Sequence, residues 1–171
     1  MKHKKIKLLP SLLAAALILM MSGCGSTPDD SGNERSSSEA NEQKEQLTAA
    51  AILDRVAASG KAERMTVRAD LGSEDFNSVC EKLYGVKAES LTDGGIIFEE
   101  SGQYADEVSV LKGADESVLK DRAAQRAQVY EGYAPAEAEK AQKAEVFTYE
   151  GFTILVISDN AADIKKDITS M

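Results

Sequence analysis

The chain has no tryptophan, one histidine and two cysteines in 171 residues, and each scarcity removes a class of chemistry. The only imidazole, His3, lies in an amino-terminal stretch that reads as a removable leader, so the folded part holds none. Catalytic triads built on histidine are excluded with it, as are the commonest metal ligand and the side chain most used for proton transfer near neutral pH. With Cys24 at the end of that leader, Cys80 has no intramolecular partner, and the core must hold without a disulfide. There is no Gly-x-Ser-x-Gly, no phosphate-cradling glycine loop ending in Gly-Lys-Ser/Thr and no Cys-x-x-Cys. Long apolar runs are missing too. The longest, Leu8 to Met21, is shorter than the roughly 20 residues a spanning helix needs, and Pro10 interrupts it.

What is present begins with that leader. Lys2, Lys4, Lys5 and Lys7 precede the apolar run, and small residues Ser22 and Gly23 follow it before Cys24. This is signal-peptide order, and a retained transmembrane anchor is the weaker reading. Met21-Ser22-Gly23-Cys24 resembles the lipobox of bacterial lipoproteins, with Met21 where leucine is usual. By that resemblance residues 1–23 are removed, and Cys24 is joined to diacylglycerol as the first residue of the mature chain. The alternative, ordinary secretory cleavage, would leave a lone reactive thiol in an oxidising compartment. Two or three acyl chains hold a protein stably at about 0.8 kcal/mol per buried CH2. The expected location is therefore the outer face of the cell membrane, and the first expected partner is the membrane itself, through Cys24.

Four of the 20 basic residues lie in the leader and none of the 29 acidic ones does, which leaves 16 against 29, a formal charge of −13. Such a surface repels nucleic acid and anionic headgroups. From Gly25 to Gln46 the composition is polar and acidic, with no aromatic side chain, and cannot offset the entropy of ordering. Residues 24–46 are thus expected to be a lipidated cysteine and a disordered acidic tether, with a coil span of about 25 Å.

Residues 47–171 have the size of one domain. Ala49, Ile52, Leu53 and Val56 predict an opening helix that stops at Ser59-Gly60. Met65 to Ala69 reads as a short strand or an extended link. Ser73 is a candidate cap for a second helix, whose stripe is Phe76, Val79, Cys80 and Leu83 and whose end is Gly85. A thiol within that stripe is expected to be a buried small hydrophobe. Gly95–Glu99 and Tyr104–Lys112 predict one hairpin. A long helix follows Asp115-Glu116, with Leu119, Ala123, Ala127 and Tyr130 on one side, and Pro135 opens a shorter one through Gln142. Glu145–Tyr149 and Phe152–Ser158 predict a second hairpin turning at Glu150-Gly151, and Asn160, with Asp163 three positions on, is a candidate cap for the closing helix. The two hairpin-then-helix units suggest either a duplication or two ββα units that merely look alike. The expected fold is α+β, a four-stranded mainly antiparallel sheet from two β-hairpins with helices packed on one face.

Gln103 to Lys112, the long helix, Tyr133-Ala134-Pro135 and the hairpin ending in Ile154-Leu155-Val156-Ile157-Ser158-Asp159 are similar to the bacterial lipoprotein family known as domain of unknown function 4358. The resemblance implies a surface lipoprotein and carries no activity, ligand or catalytic residue. Its recognisable points here are Glu107 and the step from Tyr133 to Pro135.

Those three residues, Glu107, Tyr133 and Pro135, are the candidate polar site, either ligand-binding or structural. Glu107 shares a strand face with Ala105, Ser109 and Leu111; one reading projects it towards a helix to pair with a backbone or hydroxyl donor, and the favoured one has it order the Tyr133–Pro135 corner or remain solvated. Asp106, Asp115 and Glu116 are better explained as solvated acids and helix caps than as a cation site, because no calcium-loop or His/Cys spacing accompanies them. No metal or other cofactor is expected. The favoured function is a membrane-anchored, non-enzymatic binding or interaction module with an unknown protein or envelope partner and no nucleic-acid partner. The alternative is a small envelope hydrolase or transferase using carboxylates such as Glu107 and Asp106. A solute-capture lipoprotein ranks last, because one small domain lacks two lobes to close on a ligand.

Overall fold

The computed structural model describes residues 46–171, so the expected leader, Cys24 and nearly all of the tether lie outside the described residues. The described chain runs α1 (Ala49–Ala58), β1 (Val67–Asp70), α2 (Phe76–Tyr84), a 3-10 turn (Ala88–Ser90), β2 (Asp93–Phe98), β3 (Glu107–Lys112), α3 (Glu116–Tyr130), α4 (Pro135–Gln142), β4 (Glu145–Tyr149), β5 (Phe152–Ile157) and α5 (Ala161–Thr169). Among the described residues no helix is long and apolar enough to cross a membrane.

The sheet has five strands in the order β1-β2-β3-β5-β4, every pair antiparallel. The expected count of four is corrected by β1. Its short alternation pairs fully with β2, from Val67 opposite Phe98 to Asp70 opposite Gly95, and satisfies backbone groups that β2 would otherwise leave bare. The class remains α+β.

The expectation that helices pack on one face is also corrected. Ile96, Leu111, Leu155 and Ile157 point to a core shared with α2, α3 and α4. Their neighbours Ile97, Val108, Val110, Ile154 and Val156 point the other way, to a core shared with α1 and α5. Side chains alternate across a strand, so a strand apolar on both of its faces has to be covered twice. All six residues of β5 are buried, and each large one contributes about 1.5–3 kcal/mol by leaving water. On the α1 face the approach is close enough to require a glycine: a Cβ at Gly95 would lie 2.6 Å from Leu53 Cδ1.

Local signals explain most element ends. The Thr48 hydroxyl accepts from the Ala51 amide at the start of α1, and the Ala49 amide donates to Asp93 Oδ2 at 2.9 Å, tying that start to β2. Helix α2 begins at Phe76 rather than being capped by the Ser73 side chain, and buries Phe76, Cys80 and Tyr84 while Val79 and Leu83 are half-buried. Gly85 ends it with φ of 65°. Asn160 precedes α5, but its side chain makes no capping bond. The β4–β5 turn has φ of 48° at Glu150 and 81° at Gly151, the left-handed pair of a two-residue hairpin.

The two hairpin-helix units differ in hand. Strands β3 and β5 are antiparallel neighbours, so a two-fold normal to the sheet would superpose β2-β3 on β4-β5 and carry α3 onto the same face as α5. They lie on opposite faces. Two units of opposite hand favour chance likeness over duplication.

Candidate functional site

Glu107 opens β3 and faces the α2–α3 side of the sheet, where it is fully buried. Its Oε1 accepts from the Tyr84 hydroxyl at 2.5 Å and from Arg122 Nε at 2.9 Å, and its Oε2 accepts from the Arg122 terminal nitrogen at 2.5 Å. The guanidinium therefore meets the carboxylate through two parallel bonds, the strongest geometry for such a pair. Arg126 adds a more distant charge, with Nε 4.0 Å from Oε2. Helix α3 delivers both arginines because positions 122 and 126 fall on its buried stripe with Leu119, Ala123, Ala127 and Tyr130. Burial, followed by the adjacent Glu107 charge, pushes the Tyr84 phenol well above its ordinary value. Burial is the largest influence on Arg122 and opposes its charge, yet the hydrogen bonds and charge of Glu107, together with Tyr84, outweigh it and raise that pKa. Ser109, on the same face, has a buried hydroxyl with no hydrogen-bond partner.

A second charged cluster lies at the same end of the sheet. Lys140 of α4, whose side chain is 4% exposed, reaches Asp106 and Glu137 at 2.9 Å and Asp159 at 3.4 Å. Arg64 bridges Asp159 at 3.2 Å and Asp106 at 3.6 Å, and its guanidinium lies 4.6 Å from the centre of the Tyr104 ring. Burial disfavours the Lys140 ammonium, but Glu137 and Asp106 more than compensate and raise its pKa. Four segments meet here: the α1–β1 link, the β2–β3 loop, α4 and the step from β5 to α5. Shallow clefts of about 360 and 140 Å³ flank the cluster and share Ser158 and Asp159. The β2–β3 loop is itself organised by Glu99, whose carboxylate accepts from the amides of Ser101, Gly102 and Tyr104 and from the Ser101 hydroxyl.

The three expected site residues do not form one site. Tyr133 is 64% exposed and Pro135 is exposed at the first turn of α4, whereas none of the hydrogen-bond partners of Glu107 comes from that corner. The corner is held instead by Tyr130, whose carbonyl accepts from the Tyr133 and Ala134 amides and whose hydroxyl lies 2.6 Å from the Tyr104 carbonyl oxygen. Asp106 joins Lys140, while Asp115 and Glu116 stay at the start of α3, Glu116 pairing with Lys120. Among the described residues no group of three or more His, Cys, Asp or Glu side chains is arranged to hold a metal. Cys80 is fully buried, and burial pushes its thiol up to about 11.

Sequence reasoning missed Tyr84, Arg122, Arg64 and Lys140. The signal for Arg122 was present: it occupies an apolar-stripe position on α3 while Glu107 occupies an inward position on β3, and opposite buried charges require one another. Chemically, both clusters are closed circuits of paired charge that clamp elements together. No family model, no curated protein and no solved structure matches the chain.

Proposed function

We propose that the chain is an envelope lipoprotein, anchored through Cys24 at the outer face of the cell membrane, whose domain is a non-enzymatic interaction module. The leader ending in Met21-Ser22-Gly23-Cys24 supports the anchor. The observation that carries the non-enzymatic part is the state of Glu107. Its exposure is zero and both oxygens are taken by Arg122 and Tyr84, whereas a general acid or base must reach the proton it transfers. Asp106, the other carboxylate of the hydrolase alternative, is likewise buried and held by Lys140.

Mass spectrometry of the amino-terminal peptide from native membranes tests the anchor, with a diacylglyceryl cysteine at position 24 expected and an unacylated terminus ending the reading. Crosslinking followed by pull-down tests the module, with a reproducible protein or envelope partner expected. A small molecule retained by the purified chain, with no partner recovered, would overturn it.

A further inference from the structure

Strand β4 is an edge of the sheet, with no partner on its outer side among the described residues. In a hairpin with a two-residue turn the flanking pair, Tyr149 and Phe152, exchanges hydrogen bonds. Phe147 and Glu145 therefore also turn their backbone groups to β5, and Val146 and Thr148 turn theirs outward. Natural edges are blunted by proline, bulges or charge. The opposite edge, β1, is only four residues long and has Arg68 tied to Asp54 and Asp70. Strand β4 lacks proline, its register with β5 is unbroken, and its one charge, Glu145, is drawn to Lys165 at one end of the strand.

The two sides of this edge differ. On the α5 side, Lys165 bonds Glu145 at 2.8 Å and places its ammonium 5.1 Å from the centre of the Phe147 ring, closing that flank. On the α3–α4 side, a hollow of about 480 Å³ runs beside the strand, lined by four alanines (Ala123, Ala124, Ala141 and Ala144) and Val146, with Lys120, Gln142 and Glu145 completing it. Alanines leave space where larger side chains would fill it. An unpaired edge next to a hollow with an apolar alanine patch is the arrangement in which main-chain bonds supply affinity and a side-chain pocket supplies selectivity.

We infer that β4 takes an extended segment of a partner protein as a sixth strand, with a large apolar side chain seated in the alanine hollow opposite Val146. Residues 46–171 carry 14 basic and 23 acidic side chains, a formal charge of −9, so a second copy is repelled and a basic segment is favoured. The inference rests on the interaction-module reading and names the surface and the chemistry of its partner.

The test uses the purified full chain in detergent and two synthetic peptides, Lys-Thr-Lys-Leu-Lys-Thr-Lys and its counterpart with aspartate for the central leucine. The Val146 and Thr148 amides are expected to exchange freely before peptide is added. The leucine peptide should shift those two amides saturably and bind at least about tenfold more tightly than the aspartate peptide. Two variants should each lose the effect while keeping the fold: Thr148→Pro, which removes an outward N–H at an edge position that tolerates proline, and Ala124→Phe, which fills the hollow from an exposed position. Val146 and Thr148 amides protected in the free chain would mean that a second copy or the chain itself covers the edge, and would overturn the inference. So would shifts elsewhere, or no shift at millimolar peptide. A membrane partner captured equally by wild type and Thr148→Pro would leave the display reading standing and remove this one alone.

Discussion

Replacing Arg122 by methionine tests whether the Glu107 pair organises the α2–α3 face as its geometry indicates. The substitution keeps the length of the side chain on α3 but leaves Glu107 with only the Tyr84 hydroxyl at Oε1 and nothing at Oε2 closer than Arg126 at 4.0 Å. Breaking a buried pair from one side costs about 3–5 kcal/mol, because the surviving charge stays desolvated. A domain of this size has about 5–15 kcal/mol in total, so Arg122→Met should remove about a fifth or more of its stability. The double replacement Glu107→Leu with Arg122→Met removes both charges and leaves only the Tyr84 hydroxyl wanting a partner, at about 1–3 kcal/mol. The double variant should therefore be more stable than Arg122→Met alone, while Glu107→Leu alone, which strands the Arg122 charge, should be destabilising; a substitution that changes sign with its background is what non-interacting sites cannot produce. Urea unfolding followed by circular dichroism reads both differences. A single-variant cost below about 1 kcal/mol, or a double variant less stable than the single, would refute the assignment.

Three further outcomes follow from particular residues. Cys80, buried with its thiol pushed up to about 11, should resist alkylation at pH 8 in the native chain and react once urea unfolds it; rapid native labelling of the Cys80 peptide, read by mass spectrometry, would contradict its burial. Burial opposes the Glu99 charge, but the Ser101 hydroxyl and the loop amides hold its carboxyl below the ordinary 4.5. Its stabilisation is thus fully present above that value and is lost as pH falls through the folded pKa, so the melting-temperature deficit of Glu99→Gln should be largest near neutrality and vanish in acid. Glu150 sits at φ of 48°, a position that asparagine tolerates better; Glu150→Asn should raise stability by about 0.5–1 kcal/mol, measured as a shift in denaturation midpoint.

Helices and hairpins were legible because each depends on neighbours in the chain. The stripe Leu119, Ala123, Ala127 and Tyr130 is buried as its spacing predicts, Pro135 starts α4, and Glu150-Gly151 turns the second hairpin. The layering was misjudged although Phe152 to Ile157, apolar at every position but Thr153, already demanded cover on both faces. The stripe of α1 was recognised without the face it needed, because nothing local says which side of a sheet a distant helix will take. The same limit separated Glu107 from its partners: Tyr84 lies 23 positions before it and Arg122 lies 15 after it. The family resemblance drew attention to Tyr133 and Pro135, which are exposed, while the paired side chains lay at helical positions where an arginine passes for a surface residue. Lys140 is the parallel case on α4.

The closeness of Arg122 to Glu107 along the chain also sets an order of assembly. Strands β2 and β3 form from adjacent residues, and α3 follows β3 directly, so the inward carboxylate meets its guanidinium before β4 and β5 are needed. Strand β5 then closes against β3 across the whole of α3 and α4, a non-local pairing of the kind that slows folding. A chain made from its amino terminus therefore neutralises its most expensive buried charge early and completes its central seam late. Contact order thus predicts that substitutions in the β3–β5 seam, such as Val156→Ala, change the folding rate less than substitutions in the β2–β3 hairpin.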